Sequence, residues 1–92
     1  MIESEIEISN KLGLHARAAA KLVKIAGAYE SSIEIEKQDQ RVDAKSIMSV
    51  MMLAAGRGNT IKLYVSGTDE NDATNALLDL ISDKFGEGEY WH

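Results

Sequence analysis

Ile2, Ile6 and Ile8 alternate with Glu3, Glu5 and Glu7, and Ser4 is the one lapse on the apolar side. Successive side chains of a strand point to opposite faces, so this stretch predicts a strand with one buried and one wetted face. The next stretch, 10–14, has no periodicity and contains Gly13, which predicts an irregular loop. From Ala16 to Ala26 the period changes: Ala18, Ala19, Leu22, Val23, Ile25 and Ala26 make one broad apolar stripe at helical spacing, and Gly27 marks its stop. Arg17, Lys21 and Lys24 fall together on the opposite side as a basic stripe.

Further along, Ile33 and Ile35 flanked by Glu34 and Glu36 predict a second half-buried strand. Lys37 to Gln40 then turns the chain into a short third strand around Arg41 to Asp43, as a hairpin. Ser46 reads as the N-cap of a short helix whose apolar side is Ile47, Val50, Met51 and Leu53, ending near Gly56. Met48 lies off that stripe, and a methionine left over once the core is filled suits a surface that adapts to partners. Gly56-Arg57-Gly58-Asn59 lacks the Lys-Ser or Lys-Thr of a nucleotide-binding loop and reads as a turn. Ile61, Leu63 and Val65 alternate with Lys62, Tyr64 and Ser66 as a fourth strand closed by Gly67. Thr68 or Asp69 caps the last helix, Asp72 sits in its first turn, Ala73, Ala76, Leu77, Leu80 and Ile81 form its stripe, and Gly86 ends it. Residues 1–86 are thus expected to be one domain, and 87–92 a mobile tail with no role for Trp91 or His92.

The order β-α-β-β-α-β-α, with half-polar strands and one-striped helices, predicts an α+β fold. A four-stranded, mainly antiparallel sheet leaves one face in water while three helices cover the other, an open-faced sandwich.

Candidate chemistry gathers where the first helix begins. The first N–H groups of a helix lack intrahelical partners and sit at the positive end of its dipole, which makes the start at Ala16 a place for an anion. His15 stands at the cap, a position that Ser, Thr, Asp and Asn fill better, so its presence asks for a chemical reason. A neutral imidazole nitrogen accepts a phosphoryl group. The N–H groups of Ala16 and Arg17 then bind its oxygens, and the Arg17 guanidinium adds charge-assisted bonds. A cation in the first turn opposes the dipole, so Arg17 is better explained by an anion than by helix stability.

Composition narrows the classes. The absence of cysteine excludes disulfides and thiolate metal sites, and the two histidines, far apart, give no local ligand pattern; neither metal nor cofactor is expected. A net charge of -5 argues against general nucleic-acid binding, which needs a basic surface. No apolar run is long enough to span a bilayer and the Ile/Glu alternation at the start is unlike a signal peptide, so the expectation is a cytoplasmic protein without membrane insertion.

Gly13-Leu14-His15-Ala16-Arg17 resembles the active-site signature of the HPr family, the histidine-containing phosphocarriers of the bacterial sugar phosphotransferase system. A second similar block, Asp43-Ala44-Lys45-Ser46-Ile47-Met48-Ser49-Val50-Met51, lies at the matching distance. One departure is Ala18, where many relatives carry proline; alanine favours the helix and removes no catalytic group. The resemblance implies the same open-faced fold. It implies phosphate accepted by His15 from enzyme I and passed to A components of the system, for sugar uptake or a nitrogen-related branch, by a monomer. Arg17 and the Ala16 N–H stabilise the phosphate, and Ala20, Lys24, Ile47, Met48 and Met51 form the partner surface. In part of the family an HPr serine kinase modifies the serine matching Ser46. Two alternatives stay open: a regulatory partner-binding module controlled at Ser46, and a small domain binding RNA or a metabolite. Against RNA stand the acidic balance and the lack of exposed strand aromatics apart from Tyr64.

Overall fold

Each alternating segment forms a strand: β1 (Ile2–Glu7), β2 (Ser32–Lys37), β3 (Gln40–Asp43) and β4 (Thr60–Ser66). The helical stripes form α1 (Ala16–Gly27), α2 (Ile47–Met52) and α3 (Glu70–Ser82), and a single 3-10 turn, η1 (Lys84–Gly86), follows. The structure, a computed structural model, describes residues 1–87. The expected tail therefore lies almost wholly outside the described residues, Trp91 and His92 included.

The strands make one sheet in the order β1-β4-β2-β3, and every pairing is antiparallel. Ile33, Ile35, Ile61, Leu63 and Val65 point to the helical side and are fully or almost fully buried, as the period of two requires. The chain has an open-faced sandwich fold, its three helices supplying Ala18, Ala19, Leu22, Val50, Leu77 and Ile81 to the same core. On the open face Glu3 and Glu34 flank Tyr64, the Arg41 guanidinium lies 3.6 Å from the ring centroid, and the tyrosine hydroxyl donates to Glu36. Tyr64, the exposed aromatic of the sequence, is thus already covered by a cation and ringed by carboxylates.

Three expectations need correction. In α2 the apolar side splits: Val50 and Leu53 are buried, whereas Ile47 and Met51 are each 39% exposed, because a helix this short turns only its middle and its end inward. The last helix stops at Ser82, ahead of Gly86. Lys84 and Phe85 adopt left-handed φ values of 54° and 55°, which break the helix and bring Phe85 to full burial. Left-handed backbone costs about 1–2 kcal/mol per residue, and burying a phenylalanine returns about 1.5–3 kcal/mol, so the Phe85 anchor offsets most of its own turn. Finally, Asp69 occupies the N-cap position of α3 but sends no side-chain bond to that helix; its carboxylate accepts from the N–H groups of Glu30 and Ser31 and from the Ser31 hydroxyl.

Candidate functional site

His15 is reached through a loop that is held tightly. Gly13 has φ +66°, and a Cβ there would lie 2.6 Å from the Ala55 oxygen and 2.7 Å from Gly56 Cα, so only glycine fits between the loop and the segment after α2. Leu14 donates its N–H to the Ala55 oxygen at 2.8 Å and buries its side chain. From the other side Asn10, almost fully buried, donates from Nδ2 to the Gly13 oxygen at 2.8 Å. His15 follows in extended conformation, φ -77° and ψ 179°, as the N-cap of α1, and its side chain makes no cap bond. Its carbonyl instead accepts from Ala19 N–H at 2.8 Å, which starts the helix and leaves the first amides, those of Ala16 and Arg17, without intrahelical acceptors.

The imidazole is engaged elsewhere: Nε2 meets the Glu87 carboxylate, and the histidine side chain keeps 26% of its surface exposed. Glu87 is delivered by η1. Phe85 anchors that turn in the core, and Lys21 Nζ donates to the Phe85 oxygen at 2.6 Å. The other Glu87 oxygen accepts from Asn10 Nδ2 at 2.9 Å. Burial works to raise the Glu87 pKa, but the bonds from Asn10 and His15 and the charges of His15 and Lys21 outweigh it, and the carboxyl is held below its ordinary range.

The structure separates the basic stripe. Lys21 is half-buried and ties α1 to η1, while Arg17 and Lys24 remain exposed, with Ala16 and Ala20, on the outer side of α1. The second group lies on α2, which packs against α1. Ser46 Oγ caps α2 by accepting from Ser49 N–H at 3.4 Å. Beyond it Ile47, Met48, Met51 and Met52 are exposed large apolar side chains, as is Leu12 in the loop before His15. Among the described residues no cluster of His, Cys, Asp and Glu could hold a metal ion, and no helix is long and apolar enough to cross a membrane.

Asn10 and Glu87 escaped the sequence reading. In the sequence Asn10 is one polar residue of a loop, and Glu87, 72 positions from His15, falls in the stretch expected to be a tail. Its only sequence signal was the lone phenylalanine just ahead of it, an apolar anchor at the end of the last stripe.

Known proteins resemble this chain in sequence and in fold. The family described as PTS HPr component phosphorylation site matches residues 2–83. Phosphocarrier protein HPr of Cupriavidus necator is 54% identical over 89 residues, covering 97% of this chain and 100% of that protein. HPr of Pseudomonas aeruginosa is 54% identical over 86 residues, covering 92% and 96%. The crystal structure of HPr-C-His from Thermoanaerobacter tengcongensis superposes with a TM-score of 0.94 at 50% identity, over 97% of this chain and 100% of that one.

Proposed function

The chain belongs to the HPr family of phosphotransferase-system phosphocarriers, and from that premise we propose that His15 takes a phosphoryl group from the phosphohistidine of enzyme I and hands it to A components of the system. The observation that carries this reading is the uncapped N-terminus of α1 with an imidazole, and no cap bond, at its mouth. The imidazole lone pair attacks phosphorus as the donor's P–N bond breaks and its electron pair returns to the donor ring. The arriving oxygens meet the Ala16 and Arg17 amides at the positive end of the helix, with the exposed Arg17 guanidinium within the same turn.

A carrier must also release its cargo. Each excess of about 1.4 kcal/mol in favour of the phosphorylated form displaces the equilibrium tenfold against onward transfer, so a few amides and one guanidinium suit the task better than a closed cage. The partner surface is read as Ala20 and Lys24 on α1 with Ile47, Met48 and Met51 on α2, served by a monomer in the cytoplasm. The exposed methionines support this, since they are polarizable and adapt to several partner surfaces in turn. Ser46 at the edge of that surface favours a second, regulatory layer. A phosphate added there by an HPr serine kinase would sit at a helix start, which tolerates it, and beside apolar side chains that must dock, which do not.

With phosphoenolpyruvate and enzyme I, the chain is expected to acquire one acid-labile, base-stable phosphate, as a phosphoramidate does, and His15→Ala to abolish it. Full labelling of that variant would move the acceptor elsewhere and overturn the reading.

A further inference from the structure

Glu87 is more than a neighbour of the histidine. It reaches His15 from the far end of the chain, on a turn fixed by Phe85 in the core and by the Lys21 bond to the Phe85 oxygen. Its carboxylate is then divided between two donors, His15 Nε2 and Asn10 Nδ2. Asn10 has no freedom to choose. Its amide nitrogen serves two acceptors, the Gly13 oxygen and Glu87, which settles which way the amide faces, and its Oδ1 is left buried with no partner among the described residues. A buried polar atom without a partner is costly, so an orientation that tolerates one is held by what the other end of the amide does. Here that end aims the Glu87 carboxylate at the histidine.

We propose that Glu87 is a positioning residue for His15: by accepting the Nε2 proton it fixes one imidazole tautomer and leaves the Nδ1 lone pair as the one that takes the phosphoryl group. The inference rests on the transfer reading above and deepens it. A carboxylate accepts hydrogen bonds and donates none, so while Glu87 is ionised the proton must lie on Nε2. The depressed pKa of Glu87 keeps it in that state. During transfer the Nδ1 pair forms the new bond to phosphorus, and the bond from phosphorus to the donor nitrogen breaks with its pair returning to the donor ring. The Nε2 proton stays where it is. The ring becomes a phosphorylated imidazolium, and the Glu87 carboxylate faces the positive charge that has appeared.

The test compares the wild-type chain with Glu87→Ala and Glu87→Gln by nitrogen and proton NMR of the imidazole, at a pH where His15 is neutral. Initial rates of labelling from phosphorylated enzyme I are measured beside it. Wild type is expected to show the Nε2–H tautomer with a slowly exchanging ring proton. Glu87→Ala should show both tautomers in exchange, lose that proton to water, and accept phosphate roughly tenfold to hundredfold more slowly, the range spanned by one charge-assisted hydrogen bond. Glu87→Gln should fall between them, because its single oxygen can satisfy Asn10 or His15 but not both. An imidazole spectrum in Glu87→Ala unchanged from wild type overturns the proposal, whatever His15 does with phosphate. Failure of the wild-type chain to take label on His15 removes the transfer reading, and the positioning role with it, while the Nε2–H signature would still report the contact.

Discussion

Arg17, in the first turn of α1, and Glu87, bonded to His15, carry opposite charges, and only one of them is legible in the sequence. Arg17 announced itself because a guanidinium in a first helical turn works against the dipole and so needs an anion. The structure leaves it exposed on α1 and in no ion pair among the described residues. Arg17→Ala is therefore expected to leave stability within about 0.5 kcal/mol of wild type, as for most surface changes. Labelling of His15 should slow roughly tenfold to hundredfold, since a hydrogen bond from a charged donor is worth about 1.5–3 kcal/mol. Thermal melting beside transfer kinetics checks both halves; an unaltered rate would assign the work to the backbone amides. Glu87 gave no comparable signal. What joins it to His15 is a left-handed pair at Lys84 and Phe85, a conformation that non-glycine residues adopt rarely and that no periodicity encodes.

At the scale of elements, the helices were legible where a long stripe exists and misread where it does not. The stripe of α1 placed Ala18, Ala19, Leu22 and Ala26 correctly inside, because twelve residues give a full inward face. With six residues α2 has too few turns for its stripe to predict burial, and Ile47 and Met51 turned out half in water. That exposure supports the proposed docking surface, to which Ile47 and Met51 belong. Two substitutions test it together. Ser46→Asp keeps a good N-cap, and Met48→Glu changes a side chain that is 68% exposed, so neither should cost more than about 1 kcal/mol of stability. Both place a charge where a partner must exclude water. A loss of about 3 kcal/mol would weaken association more than a hundredfold. Titration of each variant with enzyme I is expected to show weaker binding and unshifted amides across Ile47 to Met51, where wild type shifts; wild-type affinity in both would remove α2 from the interface.

Across the whole molecule, the alternation of apolar and acidic residues defined a sheet with one wet face, but not the strand order, because the order depends on pairings between distant segments. That β4 inserts between β1 and β2 became visible only in the structure. The same distance effect hid the Asp69 clamp. Read locally, Asp69 was a helix cap; in the fold its carboxylate takes three bonds from Glu30 and Ser31 and so ties the segment between α1 and β2 to the start of α3. Those bonds favour the ionised form, the Ser31 hydroxyl first and the Glu30 amide next, and lower the Asp69 pKa from its ordinary 3.8 despite some opposition from burial. The sign of the pH effect follows. A carboxyl with a depressed folded pKa is bound to fewer protons when folded than when unfolded, so its contribution to stability is complete above its unfolded pKa and is lost as pH falls through the folded one. Asp69→Asn keeps the shape and removes the charge. Chemical denaturation of the two chains should therefore show the variant less stable than wild type at neutral pH, with the gap narrowing only once the pH drops below about 3.8. A gap that stayed constant from neutral to strongly acid solution would mean that the clamp acts through shape and not through the ionised carboxylate.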